Sequence, residues 1–400
     1  MSETALQGLK VLDLTRYIAG PQCTKLLADY GAEVIKVEKP GEGDPSRRLG
    51  PFPNDEPHPE TSGLFLHLNT NKKSITLNLK SDTGRSMLRN LISDTDILAE
   101  NFSPRVMPSL GFSYEELEQI NPGLVMVSIS NFGQTGPYRD YRATEITSWA
   151  MGSRMYTTGH PERPPLKLAG HVVEYLAGTN AASAAMCALF GALASGEGQL
   201  VDISIQECLL GAVDNNLLSH QYDHDVPRRQ GGRREGTYPM GYYYASNGFF
   251  QFQGAGVRQW PRIVKMLGLE ELEDPKFTDP VARPQHHGDF DAIFYSWAIE
   301  RTKEEIVQMA QEVKAYSAPL LSIEEVVNNE HHNVRGFFVD VEHPIAGQFK
   351  YPGAPVKFSE TPWSVRSPAP TLGQHNQEIY CERLGYSKSQ LVALRQQGVI

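Results

Sequence analysis

The sequence predicts an α/β fold: an open, mostly parallel sheet in a first domain, joined to a smaller α+β domain. Three observations predict it. Residues 8–14 (GLKVLDL), 22–30 and 32–38 (AEVIKVE) read as strand, helix and strand. That is a βαβ unit, which implies parallel strands and a right-handed crossover. Strand-like and helix-like runs then keep alternating to residue 130. From about His220 the texture changes to short strands, glycine turns and amphipathic helices. Four hundred residues fit two domains. We divide them as 1–220 plus 330–400, and 221–329.

Residues 8–14 are rich in Val and Leu, as a buried strand requires. Pro21 suits the first position of the helix 22–30, and Gly31 suits its C-terminal stop. Glu38 closes the second strand where a dinucleotide enzyme carries its ribose-binding acid. The preceding turn offers only Gly20 where three close glycines are needed, which argues against a nicotinamide cofactor. Residues 40–59 form a long loop rich in Gly, Pro, Asp and Arg, of a kind that is functional or mobile. Residues 64–69 and 74–79 read as short strands about a turn at 69–72. Residues 82–91 are helical with Asp82 as N-cap, 96–100 (DILAE) is a strand, Ser103 caps a short helix from Pro104, and 114–120 is a further helix. Residues 124–130 (LVMVSIS) are near-continuously apolar, as in a strand covered on both faces. The loop 131–141 (NFGQTGPYRDY) follows that strand's C-terminal end, the edge where such sheets bind ligands. Residues 146–157 read as one helix.

The stretch 164–207 is the centre of the chain. It begins extended among prolines, continues as a helix of small residues over 181–194, turns at Gly-Glu-Gly, and ends in a strand over 200–205. Small residues let another backbone approach closely, in a tight core or at a subunit interface. Beyond it, strands at 241–248 and 249–253 and helices at 259–267, 290–300 and 302–312 make up the second domain. Strands at 337–341 and 347–350, a proline-rich extended run at 352–370, and helices at 376–384 and 387–396 close the chain. The tail is expected to return to the first domain.

The net charge of −10 argues against nucleic acid as the main partner. No apolar run approaches a membrane span, and the N-terminus lacks a secretory pattern. The four cysteines form no CxxC, which fits a reducing cytoplasm and no zinc site. The histidines offer no HExxH, and there is no GxSxG elbow. Cys23 starts a helix near Lys25, either an activated thiol or an inert buried one. Lys36, Lys39, Arg47, Arg48, Lys72 and Lys73 form a basic set interleaved with Glu38, Glu42 and Asp44. It is either a phosphate site or a solvated charged face. Two carboxylates stand out, Glu145 and Glu174. Each opens an apolar helical run, where the positive end of the helix dipole keeps an acid ionised and available as a nucleophile.

Several blocks carry a family resemblance. They are GLKVLDLTRYIAGPQCTKLLADYGAEVIKVEKPGEGDPSR, LNTNKKSITLNLK, AENFSP with LGFSYEELEQINPGLVMVSIS, FGQTGPY, SGEGQLVDISIQE, PGAPVKFSETPW and APTLGQHNQEI. In this order they resemble the family III CoA-transferases, also called CaiB/BaiF or formyl-CoA transferase-like, over essentially the whole chain. The resemblance implies a Rossmann-like large domain built from both chain ends, a smaller inserted domain, and two subunits interlocked like links. It implies CoA and acyl-CoA as substrates, a carboxylic acid as the other reactant, and no permanently bound cofactor. Its CoA contacts fall here on Arg16, Ala19, Lys39, Asn71, Lys72, Lys73, Asn101, Phe102 and Arg142, with backbone N–H groups and cations suited to the diphosphate. Acceptor contacts are expected from residues 134–141 and 228–256.

The family's reaction uses an active-site Asp that attacks the thioester and forms a mixed anhydride. The matching position here is Glu174, four residues before Gly178. Glu is longer by one methylene, about 1.5 Å, and a misplacement of that size costs roughly 100-fold in a near-attack geometry. Glu145 matches a position where some members hold an acid beside the nucleophile. Three expectations follow from the resemblance. Glu174 is the nucleophile of a working transferase. Alternatively, the chain is the non-catalytic subunit of a heteromer, as in succinyl-CoA:benzylsuccinate CoA-transferases, beside an Asp-bearing paralogue. The third is the α-methylacyl-CoA racemase branch, whose His–Asp pair is matched here by Thr144-Glu145, with His171 near Glu174 but off the motif's position.

Overall fold

The computed structural model describes residues 4–211, 215–232, 238–254 and 256–400. The chain forms two compact units. The first comprises Met1–Gly152, Leu168–Asp214 and Val334–Ile400, and the second Ser153–Lys167 and Asn215–Asn333. The expected division differs at three places: residues 153–167, 215–220 and 330–333 group with the second unit, not the first.

The first unit is built on six parallel strands: β1 (Lys10–Asp13), β2 (Glu33–Glu38), β3 (Lys72–Thr76), β4 (Ile97–Glu100), β5 (Val125–Ser130) and β6 (Leu200–Ser204). Their order is β3-β2-β1-β4-β5-β6. The chain therefore winds outward in one direction from β1 and then in the other from β4. The crevice between the C-terminal ends of β1 and β4 is the topological switch point, where ligands bind in such sheets.

The strands bury both faces, so their side chains alternate between two cores. Val11, Val34, Ile97, Val125, Val127 and Ile129 face one layer. That layer contains α1 (Ala19–Asp29) and, as its longest element, the helix Val172–Ser195. Leu12, Ile35, Ile75, Leu98 and Met126 face the other. The second layer is made by α3 (Asp82–Ile92), α5 (Tyr114–Ile120) and the returning C-terminal tail, whose Tyr380, Leu394 and Ile400 are buried there. The tail is pinned by sheet-edge hydrogen bonds: Asn78 N–H donates to the Val399 carbonyl at 2.8 Å and Tyr380 Oη–H to the Thr76 carbonyl at 2.8 Å.

Several expected elements differ. Residues 64–69 are not a strand but α2 (Gly63–Leu68), because Ser62 Oγ caps it by accepting Phe65 N–H and Phe65, Leu66 and Leu68 pack inward. The helix expected at 146–157 is two: α6 (Glu145–Met151) and α7 (Arg154–Thr157). It breaks at Gly152, where a Cβ would meet the Leu209 side chain at 2.4 Å, and at Ser153, which is left-handed with φ 60°. Helix α1 starts at Ala19, so Pro21 is its third residue. Ser81, not Asp82, caps α3. Ser103 caps nothing, since the one-turn α4 begins later (Val106–Ser109).

The long central helix, α8 (Val172–Ser195), corrects another expectation. By length and composition it is apolar enough to cross a bilayer. Its alanines and glycines conceal that, because none is strongly hydrophobic. Ala177, Ala181, Ala185, Ala188 and Ala192 instead lie buried in the layer beside the sheet, as in a core helix. Gly178 explains the fit. A Cβ there would sit 2.4 Å from the Ala19 carbonyl oxygen, so only glycine lets α8 cross the start of α1. The small-residue face thus serves, at least along this side, a tight core.

The second unit has a three-stranded antiparallel sheet, β7 (Met240–Ala245), β8 (Gly248–Gln253) and β9 (Tyr316–Pro319). Helices Trp260–Leu267, His287–Ala298 and Lys303–Glu312 belong to the same unit, and its core is aromatic, with Tyr243, Phe250, Phe252, Phe290, Phe294 and Trp297. Of the segment 228–256, residues 233–237 and 255 lie outside the described residues.

Candidate active site

The turn after β1 is the first component. Its backbone is held almost entirely by side chains. Thr15 N–H donates to Asp13 Oδ1 at 2.8 Å, and Lys36 Nζ donates to the Thr15 carbonyl at 2.8 Å. Arg16 N–H donates to Asn101 Oδ1 at 2.8 Å, and Asn101 Nδ2 returns a bond to the Arg16 carbonyl at 2.7 Å. Tyr17, left-handed with φ 65°, donates its N–H to Asp44 Oδ1 at 3.1 Å. These N–H groups are spent, so this turn does not offer them to a phosphate as expected. It offers side chains instead. The exposed Arg16 guanidinium lies 4.9 Å over the Phe102 ring. Arg16, Asn101 and Phe102, 85 residues apart in sequence, therefore meet at the switch point. Glu100 holds the far side: its Oε2 accepts Phe102 N–H at 2.8 Å, and burial pushes its carboxyl up to about 7. A cleft of about 410 Å³ opens beside Glu100, lined also by Ser128, Gln134, Arg105 and Arg139.

The basic set is corrected by the structure. It is largely an ion-pair network, with Lys39 and Arg48 left on the surface. Lys36 pairs with Asp44 at 2.9 Å and Lys72 with Asp13 at 3.0 Å, all four fully buried. Arg47 binds Glu38 through Nε and Nη2, at 2.7 and 2.8 Å. Glu38 is consumed there and is not free to hold a ribose. Lys72 Nζ also donates to Thr24, Asn69 and the Pro21 carbonyl, so it cannot reach a ligand. Asn71 spends its amide on Asp29 and the 364–367 backbone. Lys73 is paired with Glu33 and Glu378, each at 2.7 Å, and Lys39, exposed, with Glu42. Of the expected CoA contacts, Asn71 and Lys72 are thus structural. Ala19 is buried as the first residue of α1. Arg142 is exposed just ahead of α6. Cys23 is inert, its thiol pushed up to about 12 by burial and by Asp13.

The second component is the N-terminus of α8. Glu145 opens α6 and turns its buried carboxylate across to α8. There Oε1 accepts Val173 N–H at 3.1 Å and Trp149 Nε1–H at 2.8 Å, and Oε2 accepts Glu174 N–H at 3.3 Å. It caps a helix from another segment, satisfying donors that no residue of α8 reaches. Glu174 follows on the first turn of α8, half-buried. Burial and, second, the Glu145 charge push its carboxyl up to about 7. Glu145, Glu174 and His171 have side-chain atoms all within 4.8 Å of one another. Sequence reading found both acids but set His171 aside. Glu174 lies one helical turn, about 6 Å along α8, before Gly178, which touches the start of α1.

An open parallel sheet that reverses order at a switch point is the doubly wound α/β architecture, which binds ligands at that crevice. Comparison with known proteins narrows that class. Residues 6–376 match CoA-transferase family III. The chain is 34% identical over 400 residues to succinyl-CoA–D-citramalate CoA-transferase of Chloroflexus aurantiacus, covering 99% of this chain and 98% of the relative. It is 33% identical over 426 residues to formyl-CoA:oxalate CoA-transferase of Streptomyces coelicolor, covering 100% of both. A CaiB/BaiF family protein of Brucella suis superposes with a TM-score of 0.85 at 28% identity, covering 96% of this chain and 100% of that one. The chain belongs to CoA-transferase family III, and it is an enzyme of that class.

Proposed function

We propose that this protein moves CoA from an acyl-CoA to a carboxylic acid with Glu174 as the nucleophile. The supporting observation is the carboxyl pair at the start of α8. Glu145 is tied down by three N–H donors, which leaves Glu174 as the mobile acid, poised near neutrality and raised in basicity. A Glu174 oxygen attacks the thioester carbonyl carbon, the C–S bond breaks, and the thiolate leaves with the electron pair. The thiolate then attacks the Glu174 carboxyl carbon of the anhydride and releases the donor acid, leaving a glutamyl-CoA thioester. The acceptor carboxylate attacks that thioester, and the thiolate takes the new acyl group and regenerates Glu174. This splits one hard exchange into four easier displacements.

Arg16, Asn101 and Phe102 are the proposed contacts for the CoA nucleotide, with Lys39 and Arg142 as outer cations and Ala19 beneath. An adenine against Phe102 and a phosphate against Arg16 match the chemistry of those groups. The interlocked second subunit that the family resemblance implies, and the cytoplasmic setting that the cysteine pattern fits, belong to the same proposal. The relatives' names cite small acids, so succinyl-CoA with D-citramalate and formyl-CoA with oxalate are the first pairs to assay. Ping-pong kinetics with either pair in the purified chain, abolished in Glu174→Gln, is the expected result. Activity retained in Glu174→Gln sinks the reading, as does activity that appears only with an Asp-bearing partner chain.

A further inference from the structure

His171 occupies the N-cap position of α8, directly ahead of the carboxyl pair. Its ring nitrogen and the carboxylate oxygens of Glu145 and Glu174 lie within 4.8 Å of one another. That spacing closes to a hydrogen bond by a small side-chain rotation, or is bridged by one water. Glu145 is occupied by its three N–H donors. Glu174 and His171 are left facing each other as a proton donor and a proton acceptor.

Helix α6 contributes Glu145, whose oxygens are taken up by three N–H donors. Helix α1 presents Ala19 and Gln22 at Gly178, neither titratable. The helix Ile205–Gly211 brings Cys208 beside Asn180, more than a turn away from Glu174. On α8 itself Tyr175 is raised by burial and by Glu174, so it stays protonated.

Resting on the reading of Glu174 as nucleophile, we propose that His171 is a catalytic residue that takes the Glu174 proton as the carboxylate attacks. The step balances. The Glu174 O–H bond breaks and an N–H bond forms on the imidazole. The anhydride C–O bond forms, the C–S bond breaks, and sulfur leaves as thiolate with its electron pair. The proton returns when Glu174 is regenerated. Transfer within the trio leaves its net charge unchanged, whereas loss of the same proton to solvent adds a negative charge beside Glu145. Burial opposes the second path and scarcely touches the first. Histidine suits the task because it exchanges protons near neutrality.

The test is single-turnover labelling of Glu174 by succinyl-CoA, quenched in acid and read by mass spectrometry across pH 5.5–9, in wild type and in His171→Gln. In the variant the labelling rate is expected to fall about tenfold near pH 7 and to converge with wild type at high pH, where Glu174 is already ionised, and at low pH, where an imidazole is already protonated. Added imidazole is expected to restore it, because the position is exposed and open to a small base. A merely structural role would show no rescue. Overlaid profiles with Glu174 still labelled overturn the assignment of His171 alone. Absence of Glu174 labelling in wild type overturns the nucleophile reading and this proposal with it.

Discussion

Two regions on one edge of the sheet hold buried carboxylates, and they treat them in opposite ways. At the ends of β1 and β2 each acid has a cation: Asp13 with Lys72, Asp44 with Lys36, Glu38 with Arg47. Although burial alone would raise it, Asp13 is held down to about 2 by Lys36, Lys72 and hydroxyl donors. At the start of α8 two acids face each other, and burial with the Glu145 charge lifts Glu174 to about 7. The first arrangement fixes the Arg16 turn. The second leaves a carboxyl in a costly state that chemistry can use. Acids paired with cations are scaffold here, and in the proposed function the pair of acids is the reactive site.

The contrast is testable from both ends. The largest effect is on activity. Glu174→Gln is expected to cut CoA transfer on the order of 10⁴-fold while leaving thermal stability equal or higher. A variant that melts clearly lower makes Glu174 scaffold. Next, Asp13→Ala strands Lys72 in a buried position and is expected to cost about 3–5 kcal/mol in denaturant unfolding. A loss under about 1 kcal/mol contradicts the scaffold role.

Stability against pH carries opposite signs at the two places. Asp13 has a folded value below its unfolded one, so its contribution is present above about pH 4 and is lost as pH falls toward 2. Glu174 has a folded value above its unfolded one. The folded chain holds its proton more tightly, so stability declines as pH rises from about 4.5 through 7. Glu174→Gln is expected to remove that decline, and an unchanged stability profile counts against the raised carboxyl. The smallest effect belongs to Glu145→Gln. Losing the charged cap is expected to cost about 1 kcal/mol, and losing the repulsion moves the acid limb of activity to lower pH. An acid limb that moves up sharpens the comparison differently, since Glu145 would then be helping Glu174 ionise.

The sheet was legible because β1 and β2 place Val, Leu and Ile on either side of a turn and a helix, and β5 (VMVSIS) is mostly apolar, patterns that local sequence carries by itself. Helix α2 was not, since six residues of GLFLHL have too little length to reveal a period. The ion network was hidden for another reason. Lys72 and Asp13 are 59 residues apart, and a list of cations does not say which ones are buried. Glu145 and Glu174 were each visible as helix-opening acids, but their mutual contact depends on how the chain between them, 29 positions apart, folds. His171 looked unremarkable beside Glu174 because adjacency in sequence says little about where a ring at an N-cap will point. The switch-point trio of Arg16, Asn101 and Phe102 came from family likeness, and the strand order gives it a physical reason.

The most direct test is to mix the chain with an acyl-CoA, add hydroxylamine, and map the modified peptide by mass spectrometry. The account predicts a hydroxamate on Glu174, dependent on the thioester and missing from Glu174→Gln. A hydroxamate on any other carboxyl, in this chain or in a partner, with Glu174 unmodified, would contradict it.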